Sequence, residues 1–572
     1  MNELVQIHGD EQSRVDPNLP DAGLPPVVGV QSRCVFRASR DAPELADTLG
    51  YTYHHHVDMA CWRGRLYVGW NACQRDEDVW PSRELFSTSE DGVNWTAPAE
   101  MFPQGVSTCL RMYFYLAPAG RMLLIAGLRC DRSKTSEDAK AALVVREIRA
   151  DHTLGDVFTL QPPAGAVPHP PMFETAGDRG FVESCRSLLA DTVFLEQQDR
   201  GRLLGDRRMK WHDPAAWPGG KVPGDNEKWV AGKAFSFFRR PDGAIVGVSK
   251  MGWTTISFDD GRTWQQPAVP PTLVTGKAKV WSQQTADGRF ALVYNPSARN
   301  RFPLIVVTGE DGVNFRDMRI VQGELPIQRY AGADRSIGPQ YVRGISRWSD
   351  DGSRAGENAM WLVYSMSKED IWVSRVNLPI KPDETGTVTD SFQDWNLYCP
   401  KWAGITDTGG ALRLENRDPY DHASATRVFP ECERLRLRFE VLPESIHRSP
   451  LQIDVRGKIG AARPIRISLE PDGRCWSQSG ADRLSLGLCA PGRWLGFDID
   501  ADARAGQFSI AIDGQPVLRD APFAEPAASL HRITFRTGEH RGIGGKNPVP
   551  AGTDRPVNAT VVSIRDVRVG TE

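Results

Sequence analysis

A short turn that occurs three times constrains this chain more than any other feature. It reads Ser89-Glu-Asp91-Gly92-Val-Asn-Trp95, Ser257-Phe-Asp259-Asp-Gly261-Arg-Thr-Trp264 and Gly309-Glu-Asp311-Gly312-Val-Asn-Phe315. The second copy fits S-x-D-x-G-x-x-W, and the other two are one residue shorter. In each, the aspartate carboxylate is placed to accept backbone N–H groups, the glycine supplies a positive φ, and the aromatic packs beneath the turn as a plug. Short apolar β runs flank every copy, and few segments show a helical period. The aromatics at 264 and 315 stand 51 residues apart, room for one four-stranded sheet with its turns. The chain is therefore expected to be nearly all β.

The turn resembles the Asp box of sialidase-like propellers. On that resemblance, residues 31–382 are expected to form a β-propeller of about seven blades, with six the alternative, preceded by an N-terminal extension over 1–30. The stretch Pro379-Ile-Lys-Pro-Asp-Glu-Thr-Gly-Thr-Val-Thr-Asp390 has linker composition, with the linker itself placed at 383–390. From 391 to 572 apolar and polar residues alternate over short runs such as Leu435–Leu442, Phe508–Asp513 and Val561–Val567, which predicts an antiparallel β-sandwich. That part is similar to the concanavalin-like jelly rolls appended to carbohydrate enzymes, with a structural or sugar-binding accessory role.

A chain of 572 residues with 69 Lys+Arg against 72 Asp+Glu is long enough for two domains and has no global field for a polyanion. No nucleic-acid or membrane partner is expected, and an acidic ligand would need a local cluster of cations. The N-terminus lacks a basic start followed by an apolar run, so the cytoplasm is the expected compartment, with export requiring a leader. Ten cysteines are scattered without a CxxC pair or metal spacing, which predicts buried free thiols.

Three segments hold candidate chemistry. The run Tyr53-His54-His55-His56-Val57-Asp58 precedes a β run at Leu66–Val68, which would set neutral bases near the end of a propeller strand. Tyr113 and Arg129 lie sixteen apart on two strands joined by a turn at Pro118–Gly120, so they can face one site. The third set spans Tyr294-Asn295-Pro296 through Arg301, then Arg335, Gly338-Pro-Gln340-Tyr341, and Tyr364-Ser-Met-Ser-Lys368-Glu369-Asp370.

In their order, the HH-x5-W-x-G-x-L-Y run, the Tyr–Arg pair, the Y-N-P run, G-P-Q-Y and Y-S-x-S-K-E-D-I resemble the propeller polysaccharide lyases. These are the ulvan lyases and L-rhamnose-α-1,4-D-glucuronate lyases, with relatives described as α-L-rhamnosidases. The resemblance implies β-elimination from a uronic-acid-containing glycan. That chemistry needs a neutralised carboxylate, a base and an acid. Carried over residue by residue, it makes His55, His56, Tyr113 and Arg129 catalytic, and Arg186, Asn295, Arg301, Arg335 and Tyr341 substrate-binding. No metal ligand set and no cofactor are implied, although a structural calcium or zinc ion is compatible. The chain departs from the lyase pattern at Val57, where a proline is usual, and at Gln74–Asp78, where a second histidine is usual. The alternatives are a glycoside hydrolase, rhamnosidase or sialidase-like, and a non-catalytic glycan-binding propeller. A sialidase would need three arginines on the ligand carboxylate and a Tyr/Glu pair; Cys34-Val-Phe-Arg37 is a poor match to its Arg-Ile-Pro element.

Overall fold

The computed structural model describes the chain except residues 1–4, 78, 80, 104–108, 130–140, 164–168, 198–233, 266, 277, 299, 333–334, 346–357, 387–391, 539–551 and 572. It divides into two compact units: Met1–Gln12 with Val35–Met318 and Tyr330–Val373, and Ser13–Cys34 with Arg319–Arg329 and Ser374–Glu572. Both are built almost wholly from strands, as the alternation predicts.

The first unit is propeller-like. Five strands matter for the site: β1 (Tyr53–Trp62), β2 (Cys109–Leu116), β3 (Ser236–Arg239), β4 (Trp281–Gln284) and β5 (Pro339–Gly344). The first four each begin a sheet of their own, with antiparallel strands added outward in chain order, and in the sheet begun by β4 the N-terminal Gln6–Ile7 adds in parallel at the outer edge; β5 begins a further antiparallel run with Ala359–Met366 and Asp370–Asn377. Neighbouring sheets meet through these first strands: β1 packs on β2 and β5, and β4 packs on β3 and β5. The innermost strands consequently face one another, as in a propeller whose blades radiate from a shared centre.

The expected seven blades are not what the described residues give: four self-contained sheets carry the propeller pattern. One cause lies between the first and second Asp turns. There the chain forms two helices, α1 (Arg179–Ala190) and α2 (Thr192–Gln197), rather than further blade strands. Asp178 caps α1 by accepting the Phe181 N–H at 3.1 Å. Dividing the chain by a blade period overlooks this insertion.

The three turns fold as the sequence dictates. Asp91 accepts the N–H groups of Val93 and Asn94 at 2.8 and 2.7 Å, and Asp311 those of Val313 and Asn314 at the same distances. Asp259 accepts from Thr263 at 2.8 Å. Gly92, Gly261 and Gly312 all have φ between 71° and 80°, where a side chain would be strained. The Trp95 and Trp264 indoles close back on the glycine carbonyls.

The second unit is a β-sandwich. One sheet orders Trp395–Cys399, β6 (Ser424–Cys432), β8 (Leu530–Thr537), β7 (Leu451–Arg456) and Ile465–Leu469 side by side; a seven-stranded sheet including Arg434–Ser445 and Thr560–Thr571 covers it. Arg434–Ser445 alternates exposed arginines with buried Leu435, Leu437, Phe439 and Val441, so one pleat face enters the core. Phe439 stacks on Phe497 at 5.2 Å and meets Phe535 edge-on at 5.1 Å. The eight described cysteines are buried.

Candidate functional site

The three consecutive histidines lie at the start of β1, with the strand Arg65–Cys73 following, and they do different things. His54 is a core residue: its Nε2 meets the Tyr51 carbonyl at 2.9 Å, while the Trp70 indole donates to its Nδ1 at 3.0 Å. Beyond it the pairing with Arg65–Cys73 slips between His55 and Asp58, and His56 adopts φ 51°. Such a bulge re-aims side chains that strict alternation would send to opposite faces. β5 has a matching irregularity between Gln340 and Arg343, with Tyr341 at φ 59°. Two adjacent inner strands thus both bulge, each with a non-glycine residue in the left-handed region, a costly conformation that concentrates at functional sites.

Between the two bulges His55, His56 and Tyr341 converge. The His55 ring lies 4.1 Å from that of Tyr341 and 4.6 Å from that of His56, and His56 lies 5.4 Å from Tyr341. Three cations stand over the Tyr341 ring: Arg301 at 5.0 Å, Lys279 at 5.1 Å and Lys250 at 5.4 Å. Lys250 also donates to the Tyr341 hydroxyl at 3.1 Å. Burial pushes the phenol up, but Lys250 and Arg301 outweigh it, so its pKa falls below the usual tyrosine value. His55 is fully buried and neither ring nitrogen has a hydrogen-bond partner. Burial, then the charges of His56 and Lys368, hold it well below the ordinary histidine range, which leaves it a neutral base.

Glu77 joins this cluster from the segment where the lyase pattern would place its second histidine. Its carboxylate meets His56 Nε2 at 2.9 Å and Lys368 Nζ at 3.2 Å. Burial would raise its pKa, yet His56, His55 and Lys368 together carry it well below the carboxylate range. The ligand atoms of His55, His56 and Glu77 lie within 4.8 Å of one another, a set that could ligate one cation. In this arrangement, however, both Glu77 oxygens already serve His56 and the Lys368 ammonium, which supplies the positive charge a metal would bring. Asp58, also on β1, is buried and accepts the Phe114 N–H at 3.0 Å. Burial raises its carboxyl to about 6, against the pull of Arg343 and Lys279.

The residues singled out from the sequence fall into distinct groups. His55, His56, Arg301 and Tyr341 come together, with Tyr341 at the centre of the cluster. Arg335 is close by, 5.6 Å over the Tyr53 ring, but it is tied to Glu369, the Thr52 carbonyl and the Arg75 carbonyl, which gives it a structural task. Asn295 donates its amide to the carbonyls of Arg301, Pro303 and Pro339 and so shapes the Arg301 loop. Arg186 stands exposed on α1 in an i,i+3 pair with Glu183, a surface position set by helical spacing. Tyr113 is buried on β2, which packs on β1; the Arg129 side chain lies outside the described residues. The sequence reading assigned no role to Glu77, Lys250 or Lys279, and it named Asp58 and Lys368 only as members of the histidine run and of the Y-S-x-S-K-E-D-I run.

Comparison with known proteins agrees with this architecture. Residues 3–108 and 107–201 match a family model described as BT_1020-like, N-terminal beta propeller, and residues 395–549 match one described as Sialidase-like, CBM domain. A solved structure titled "Sialidase" is 28% identical with a TM-score of 0.87, covering 99% of this chain and 54% of that one. The chain thus spans about half the length of that protein. Trypanosoma rangeli sialidase with sialic acid is 11% identical at a TM-score of 0.33, covering 91% of each chain. No curated protein matches. The N-terminal part of the chain is thus similar to a BT_1020-like propeller and its C-terminal part to a sialidase-like CBM domain. Among the described residues no helix is long and apolar enough to cross a membrane. The lyase resemblance finds no counterpart in these matches, and the sialidase-like alternative is about as well supported.

Proposed function

We propose that this chain is a glycan-active hydrolase that cleaves at a carboxylate-bearing sugar, with Tyr341 as the reacting group. One observation carries the reading: a buried tyrosine hydroxyl, acidified by Lys250, sits under three cations and against two histidines. Lys250, Lys279 and Arg301 suit a sugar carboxylate, the local cation cluster that a near-neutral chain needs to hold an acidic ligand. An acidified phenol is a nucleophile for displacement at the anomeric carbon. The buried Asp58 carboxyl, held at about 6, is the candidate proton donor for the departing oxygen.

A second reading, β-elimination from a uronide, is favoured by one specific feature. His55 is a neutral base with both ring nitrogens unpartnered, which suits abstraction of a proton next to a carboxylate. The two readings separate in a single assay. A panel of glycans bearing uronic and 2-keto sugar acids is incubated with the full chain while released sugar and the ultraviolet absorbance of an unsaturated product are followed. Release without new absorbance is the expected result, and absorbance rising with release transfers the assignment to elimination. Tyr341→Phe should lower turnover by about 10²-fold or more, as loss of a nucleophile or proton-transfer group does. Full activity in that variant would refute the role given to Tyr341.

A further inference from the structure

We propose that the second unit holds a buried site for one small inorganic anion, built by Arg456, Arg532 and Arg536 on adjacent strands of the sandwich. The argument begins with register. In β8, Arg532, Thr534 and Arg536 alternate with Ile533 and Phe535, which enter the core, so the two arginines share the opposite pleat face. Across from β8, Arg456 of β7 pairs directly with Arg532. Like charges directly opposite one another destabilise a sheet unless something lies between them. All three guanidiniums are buried, with side-chain exposures of 1% to 6%.

Two carboxylates partly answer them. Asp21 takes Arg456 at 2.6 Å and Arg532 at 3.4 Å, and Glu324 takes Arg536 at 2.6 Å. Gly323 permits the Asp21 approach, because a Cβ there would collide with the Asp21 Oδ1. These five groups are the charged members of the lining of one cavity of about 70 Å3, whose remaining wall includes Asn396, Tyr398, Ser424 and Thr426. Three guanidiniums against two carboxylates leave one net positive charge. Four buried N–H-bearing nitrogens, Nε and Nη2 of Arg456 with Nε and Nη1 of Arg536, have no hydrogen-bond partner. Such groups cost free energy unless a ligand or water satisfies them. The strain shows at Arg532, where burial and then the Arg456 charge bring the guanidinium down to about 9.

Size selects the ligand. The cavity falls well short of the roughly 300–1,000 Å3 that organic ligands occupy, yet it exceeds the space one water needs. A monovalent inorganic anion such as chloride matches the volume, the single net charge and the surplus of donors. Water alone would satisfy the N–H groups but leave the charge.

The test uses the full chain in chloride-free buffer, titrated with sodium chloride at ionic strength held constant by sodium gluconate, with the thermal midpoint as readout. A saturable rise in the midpoint with chloride is expected, together with an anomalous bromide peak between the three arginines in crystals grown in bromide. Arg456→Gln should abolish the chloride response, although that variant could also lose stability. Glu324→Gln removes one negative charge beside the site and should lower the half-saturating chloride at least about tenfold, a gain that a damaged fold would not produce. A flat chloride titration with only water in the cavity overturns the proposal, as does a Glu324→Gln variant whose half-saturation is unchanged or raised.

Discussion

Replacing Lys250 by Met tests whether Tyr341 reacts as an acidified phenol. The ammonium lies 3.1 Å from the hydroxyl, so its attraction for a phenolate is about 1.3 kcal/mol in a water-like medium and about 5 kcal/mol at the effective dielectric near a protein surface. Lys250 is half-buried and Tyr341 buried, which places the pair between these limits. Since about 1.4 kcal/mol corresponds to a tenfold change in rate, kcat/KM at neutral pH should fall at least about tenfold. The sign follows from the charge: without the cation the phenol is harder to ionise, so the acidic limb of the pH–rate profile must move to higher pH. Arg301 and Lys279 remain over the ring, so activity should recover in alkali. The assay is the pH dependence of kcat/KM for wild type, Lys250→Met and Lys250→Arg, with the tyrosinate ultraviolet difference spectrum against Tyr341→Phe as a readout free of turnover. Arg at 250 should restore most of the profile. If Lys250→Met lowers activity while its acidic limb and the tyrosinate titration stay where they are, Lys250 does not acidify Tyr341, and the reasoning fails.

Two further outcomes test the second unit. His531 is buried beside Arg532, and burial and then that charge hold it down to about 3; the folded state therefore keeps it neutral while the unfolded chain protonates it. Stability should fall as pH drops below about 6.5, by up to about 1.4 kcal/mol per pH unit until the folded value is reached, and His531→Gln should flatten that part of a urea-denaturation series. Phe439→Ala removes a fully buried ring packed on Phe497 and Phe535 and should cost about 3–5 kcal/mol in denaturant unfolding; a loss below about 1 kcal/mol would mean the sandwich core closes over the gap.

What the residues determine by themselves is what depends on near neighbours. An aspartate two to four residues from the N–H groups it accepts, with a glycine between, forms the Asp turn in each of its three copies. Strict alternation from Arg434 to Ser445 likewise fixes which face of that strand is buried, because the pleat has a period of two. Blade number escaped because α1 and α2 occupy chain length that a repeat count assigns to strands. The site escaped for a stronger reason. Alternation sends neighbouring histidines to opposite faces, and only the bulge in β1, with φ 51° at His56, decides that His54 enters the core while His55 and His56 turn to Tyr341. Glu77, Lys250, Lys279, Arg301 and Lys368 then arrive from separate sheets and loops. No spacing encodes their meeting; the packing of inner strands around a common centre does, because it brings the first strand of each sheet against its neighbours and so gathers remote charges around the Tyr341 and His56 side chains.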